Sequence, residues 1–338
     1  MKKQLAVIAL ALLAGNLSAI AQDKVLNLYS ARHYQTDEKL YENFTRQTGI
    51  KINRIDGKED ELMERIRNEG ANSPADVFIT VDASRLAYAD ALGLFAPVKS
   101  KLLEARIPAH LHTDTWFAFS TRARVIIYNR SALKAEDVAT YESLADPKLK
   151  GKLCSRSGAH PYNLSLVASL IAHDGEAKAE EWAKGVVANF ARAPKGGDTD
   201  QIKSVALGEC GVAVSNTYYL ARLIRSDKIE ERRMMEKVGI VWPNQANRGT
   251  HINISGAGMV KTAKNTEAAV AFLEYLASDD AQRYFANGNN EWPVVPSIAT
   301  NNPALDAMGK FKADPLPIGS IAKNVAAAQR LLDRAGYR

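Results

Sequence analysis

The sequence has little cysteine: two in 338 residues, Cys154 and Cys210. Neither lies in a CxxC pair, and no His/Cys cluster has zinc spacing, which argues against a thiolate metal site. No GxSxG, HExxH or P-loop is present, so a secreted enzyme is a weak reading. The single AHDG stretch around His173 and Asp174 reads as a helix end. There is no block of Lys or Arg. The formal net charge is +6, and two of those units come from Lys2 and Lys3. Both signs are interleaved along the chain, so neither nucleic acid nor a membrane surface is indicated as a partner. A basic cleft for an anion remains compatible with this balance. No low-complexity linker interrupts the chain, and after the first residues no stretch reads as a membrane span.

The N-terminus has the pattern of an export signal. Lys2 and Lys3 form a positive start, Leu5 to Leu13 is apolar, and Ala19-Ile20-Ala21 fits a small-x-small cleavage site. A signal peptide over 1–21 and a mature start at Gln22 are expected. The apolar run is too short to span a bilayer well. No Cys follows it, so a lipid anchor there is not indicated. In an exported chain an even pair of cysteines favours a disulfide over two buried thiols. Such a bridge would constrain the unfolded state by roughly 4 kcal/mol. Cys154 precedes Tyr162 by eight residues, and Cys210 precedes Tyr218 by the same number. If two parallel strands lie side by side there, a bridge at their starts would bring both tyrosines out at similar height.

Strands and helices alternate. VLNLYS (25–30), IKINRI (50–55) and ADVFITVD (75–82) read as strands, with helices over 37–49 and 60–69 between them. The third run is almost continuously apolar, as in a strand buried on both faces. This order implies a parallel sheet with helices on both sides. WFAFS and RVIIYN, separated by TRA, read as two β runs that cross to a second lobe. GKLCSRS (151–157), helices near 162–173 and 176–190, and GVAVSN (211–216) repeat the α/β pattern. VGIVWP (238–243) and THINISGAGMV (250–260) read as the return crossing. Helices near 265–277, 279–287 and 319–336 follow. The roughly 317 residues after the signal exceed one usual domain. The expected architecture is an α/β clamshell of two lobes, each a mixed, mostly parallel sheet flanked by helices, joined by two β-type hinge crossings. Lobe one would hold 22–121 and 246–292, and lobe two 122–245 and 293–338. A ligand would lie between them, near the carboxyl ends of the strands.

Tyrosines collect at those strand ends. His33 and Tyr34 follow the first strand, Tyr162 follows the 151–157 run, and Tyr218 and Tyr219 follow the 211–216 run. One adjacent tyrosine pair means little alone, because 12 Tyr in 338 residues give about 0.4 such pairs by chance. A single tyrosine with a packed ring and a wet hydroxyl is also ordinary. The set is not ordinary. A phenol with a pKa of about 10 stays neutral unless a strong Lewis acid holds it. A hard trivalent ion such as ferric iron favours anionic oxygen and displaces that proton. Four phenolates on such an ion leave one net negative charge, which Arg122, Arg124 or Arg222 could offset. Arg122 and Arg124 alternate along an extended run, so one of the two is expected to face the cleft. Calcium or magnesium would choose carboxylates instead. His33 and Tyr34 are neighbours whose side chains point apart on an extended backbone, so His33 reaches the site only if the chain turns there. His160 and His251 read as ordinary loop or strand residues.

The stretches LYSARHYQTDEKLYENFTRQTGI, ADVFITVDASRL, STRARVIIYN, GAHPYN and SNTYYLAR resemble the bacterial periplasmic ferric-iron-binding proteins of iron-uptake ABC transporters, over essentially the whole mature chain. The resemblance implies a type II periplasmic-binding-protein fold and Fe(3+) as cargo, held by His33, Tyr34, Tyr162, Tyr218 and Tyr219. It also implies an inner-membrane ABC permease as partner, a monomer, and no enzymatic activity. Members of the family differ on whether the histidine joins and whether a carbonate-like anion helps. With Tyr34 present, this chain is similar to the tyrosine-rich members. The arginines near STRARV are implied to supply charge or anion contact. The main alternative is the same clamshell holding an oxyanion or a small organic solute. Oxyanion binders, however, use helix N-termini and small-residue amides where this chain carries phenols.

Overall fold

The computed structural model describes residues 24–32 and 34–338. The expected signal peptide, 1–21, and His33 lie outside those residues. Among the described residues nine strands are connected through one strand network. They are β1 (Val25–Ser30), β2 (Lys51–Asp56), β3 (Val77–Thr80), β4 (Trp116–Asn129), β5 (Leu153–Cys154), β6 (Val212–Asn216), β7 (Val238–Val241), β8 (Ile252–Met259) and β9 (Trp292–Pro293). The main order is β2-β1-β3-β8-β4-β6-β5, with β7 and β9 also pairing with β4.

β4 organises the molecule. WFAFS and RVIIYN, expected as separate runs, form one strand with a register shift between Ala118 and Ser120. Its residues Trp116 to Ala123 pair with β8, and Arg124 to Tyr128 pair with β6. The strand therefore belongs to both halves. The sheet is mixed, but "mostly parallel" holds only away from β4. β1 runs parallel to β2 and β3, and β5 parallel to β6, whereas β4 is antiparallel to β6, β7, β8 and β9. The cause is connectivity. β4 carries the chain out and β8 carries it back, so adjacent crossings must oppose each other.

The glycines of SGAGM let β8 lie tight against β4. A Cβ on Gly256 would meet the Phe117 carbonyl at 2.7 Å, and one on Gly258 would meet that of Thr115 at 2.7 Å. Helices pack on the strands through amphipathic faces. In Asp37–Thr48, for example, Leu40, Tyr41 and Phe44 are buried, and Gly49 ends the helix in the left-handed region at φ 72°. The long C-terminal helix, Ile318–Ala335, packs on helices Pro161–Asp174, Glu176–Ala188 and Ala83–Ala91. Among the described residues no helix is long and apolar enough to cross a membrane.

Cys154 and Cys210 are bridged, with Cα atoms 5.8 Å apart. The matched spacing to the tyrosines does not reflect a matched register, however. Cys154 sits opposite Ala213, and Cys210 lies before β6 begins. The expected strand over 151–157 is only Leu153–Cys154, and the following loop makes up the difference before the next helix starts.

Candidate metal centre

Three of the four tyrosines are placed by one local device, a strand that ends and a helix that begins. After β5, Pro161 opens the helix Pro161–Asp174, and its fixed φ suits the first helical position. Tyr162 follows directly. The His160 side chain accepts a hydrogen bond from the Tyr162 backbone N–H at 3.3 Å, and its ring meets the Tyr162 ring edge-on at 4.5 Å. His160 is thus a cap and a ring support rather than an idle loop residue. After β6, the helix Thr217–Ile224 starts at once, so Tyr218 and Tyr219 occupy its first turn. Tyr34 is different. It sits in the loop between β1 and the helix Asp37–Thr48.

These side chains converge. The Tyr162 and Tyr218 hydroxyls are 3.0 Å apart. The Tyr34 and Tyr218 rings meet edge to face at 5.6 Å, and the adjacent Tyr218 and Tyr219 rings lie 4.2 Å apart at 33°. Tyr34, Val81 and Tyr218 form a cluster separate from the main core, with Tyr219 packed against it. Tyr218 is fully buried, Tyr162 and Tyr34 nearly so, and Tyr219 is half-buried.

Arginines surround the phenols. Arg32 stands 4.6 Å from the Tyr34 ring centre, Arg156 and Arg124 stand 5.1 and 5.8 Å from that of Tyr162, and Arg222 stands 5.6 Å from that of Tyr219. Both Arg122 and Arg124 are directed to the tyrosine side, not one of the two. Residues i and i+2 of a strand share a face, so alternation along β4 puts both arginines on the same side. Both are buried. Arg222 is exposed.

Asp37 pairs with Arg32 at 2.6 Å, and two further carboxylates hold the arginines in place. Asp198, fully buried at the first turn of the helix Asp198–Leu207, accepts from Arg124 at 2.5 Å, from Arg156 at 3.0 Å and from the Asn216 N–H at 2.8 Å. Arg124 also donates to Asn163, the residue after Tyr162, at 2.8 Å. The Asp198 network therefore ties the middle of β4 and the end of β6 to the start of the Tyr162 helix. Burial alone would raise the Asp198 carboxyl, but Arg124 and Arg156 override it and hold it below the ordinary aspartate value.

The second carboxylate, Glu291, was not found from the sequence. It is fully buried just before β9. It accepts from Ser120 at 3.0 Å, Arg32 at 3.2 Å, and Arg122 and Tyr34 at 3.5 Å. The only sequence signal was an acid inside the otherwise uncharged GNNEWPVV. Arg122 spends one nitrogen, Nη1, on Ser255 and Glu291, while its Nε and Nη2 are buried without a hydrogen-bond partner.

Burial raises the Tyr34, Tyr162 and Tyr218 phenols well above the ordinary tyrosine value. The charges of neighbouring phenols add to this at Tyr162 and Tyr218, and Glu291 adds to it at Tyr34, while Arg122 opposes it at all three. Tyr34, Tyr162 and Tyr218 are therefore neutral phenols at neutral pH unless a cation displaces their protons. Among the described residues no group of three or more His, Cys, Asp and Glu could hold a metal ion. Phenol oxygen is the donor type that this site offers in number, with unspent guanidinium charge behind it.

Residues 39–316 match the family described as bacterial extracellular solute-binding protein. The chain is 48% identical over 319 residues to iron uptake protein A1 of Synechocystis sp., covering 94% of this chain and 88% of the relative. A Trichodesmium protein solved in complex with iron and citrate ligands is similar at 51% identity, with a TM-score of 0.88 over 93% of this chain and all (100%) of the other. The ferric binding protein from Campylobacter jejuni superposes with a TM-score of 0.89 at 44% identity, again over 93% and 100% of the two chains. By sequence and by fold, the chain belongs to the bacterial extracellular solute-binding protein family.

Proposed function

We propose that this protein binds ferric iron between its two lobes in the periplasm and delivers it to an inner-membrane ABC permease. It works as a monomer and catalyses no reaction. Tyr34, Tyr162, Tyr218 and Tyr219 are the ligands, and His33 is the further candidate beside Tyr34. Lobe one comprises 22–121 and 246–292, and lobe two 122–245 and 293–338. The switch of β4 partners between Ala123 and Arg124 supports that division. The observation that carries the reading is the convergence of phenols: Tyr162 and Tyr218 hydroxyls at 3.0 Å, with the Tyr34 ring against Tyr218. The names of the similar chains, iron uptake protein and ferric binding protein, agree with it.

Neutral phenols must lose their protons to bind the ion, and a trivalent cation supplies the driving force. Arg122, whose charge already interacts with Tyr34, Tyr162 and Tyr218, stabilises the phenolates that form. Its two unspent nitrogens also keep open the alternative of an anionic solute, or of a carbonate-like anion beside the iron. Titration with a ferric salt discriminates. One equivalent should give a visible phenolate-to-iron band, and retention should weaken as pH falls, because protons compete for the same oxygens. Tight binding of an oxyanion with no colour from iron would favour the alternative.

A further inference from the structure

Four phenolates around a trivalent ion leave one excess negative charge in a largely buried site, and a buried charge without compensation is costly. Apart from Arg222, which lies exposed to solvent beside Tyr219, the charged side chains around the phenols fall into two buried groups. On the Tyr34 side, Arg32 pairs with Asp37 and Glu291, and Arg122 pairs with Glu291. Two cations and two anions cancel there. On the Tyr162 side, Asp198 alone balances both Arg124 and Arg156, which leaves one positive charge. Six of these seven side chains are at most 3% exposed, and Arg156 is 12% exposed. Water therefore cannot screen a mismatch. The single surplus positive charge equals the single negative charge of a four-phenolate ferric centre.

We infer that Glu291 is the resident counter-ion that lets this cleft hold a trivalent cation without an anion from solution. The inference rests on the ferric-iron reading above. Glu291 occupies the place beside Arg122 and Tyr34 where an external anion would otherwise be needed, 3.5 Å from each. Its other partners, Ser120 and Arg32, fix the carboxylate there. Glu291 acts through Arg122 and Tyr34, so it is a positioning residue. Without its charge, Arg122 has no anionic partner. With Nε and Nη2 already unpaired, the guanidinium becomes a binding site for a small monoanion such as bicarbonate.

The test compares wild type, Glu291→Gln and Glu291→Asp, titrated with ferric iron in bicarbonate-depleted buffer and again with bicarbonate added. The readouts are the visible band and affinity by chelator competition. Wild type and Glu291→Asp should bind with the same band in both buffers. Glu291→Gln should bind roughly tenfold or more weakly without bicarbonate, the scale of effect for breaking a buried charge pair. Bicarbonate should restore binding and shift the band. Wild-type behaviour of Glu291→Gln without bicarbonate overturns the inference, as does a bicarbonate-induced shift in the wild-type band. If Glu291→Gln fails to fold by circular dichroism, the wild-type bicarbonate titration decides alone. If wild type gives no band with iron at all, the ferric-iron reading itself has failed.

Discussion

The two walls of the cleft are built differently. One offers Tyr162, Tyr218 and Tyr219, each in the first turn of a helix that follows a strand within a few residues. A disulfide and the Asp198 network brace that wall. The other offers Tyr34 from a loop, steadied by Arg32 and by Glu291 at 3.5 Å. The walls meet at the Tyr34–Tyr218 ring contact and at a 2.9 Å hydrogen bond from Ser165 to Asp82. The contrast teaches how a hinged binder divides its work. On the ferric-iron reading proposed above, the three-phenol wall would hold the cation first, and the one-phenol wall would complete the site as the lobes close.

The comparison breaks most severely at Tyr218, which touches both walls. Tyr218→Phe keeps the ring and removes the oxygen. Ferric affinity should fall by roughly a hundredfold or more, beyond the usual loss for a supporting residue, with a shifted band and an unchanged fold by circular dichroism. Retained wild-type affinity would make the residue mere packing. Asp198→Asn attacks the rigidity of the three-phenol wall without touching a phenol. It leaves Arg124 and Arg156 buried without a carboxylate, and the iron-free protein should lose about 3–5 kcal/mol in urea unfolding. A loss below about 1 kcal/mol would mean that the network does not brace the wall.

Tyr34→Phe sharpens the division of labour. The three-phenol wall persists, so affinity should fall by about tenfold, on the scale of a peripheral contribution to a metal site. The loss should appear mainly as faster iron release. A loss equal to that of Tyr218→Phe would erase the proposed distinction between walls.

How much of this was legible in the sequence follows the same contrast. Tyr162, Tyr218 and Tyr219 could be placed because strand-to-helix punctuation is local, as in HPYN and NTYY. Tyr34 followed from the end of β1. Glu291 could not be placed, because its contacts to Tyr34 and Arg32 span more than 250 residues of chain. The direction of β8 beside β4 was equally hidden, since the runs 116–129 and 250–260 show strand character but not which neighbour each will choose. The Cys154–Cys210 bridge was anticipated from export and parity. Its true register was not, because β5 is only two residues long and the loop after it absorbs the offset.

On the proposed reading, phenolate oxygens hold the metal. Resonance Raman spectroscopy of the ferric-loaded wild-type protein, excited within its visible band, reads this directly. Enhanced tyrosinate ring and C–O modes that shift when the tyrosine rings are deuterated are expected. A tightly bound ferric ion with no enhanced tyrosinate modes would contradict it.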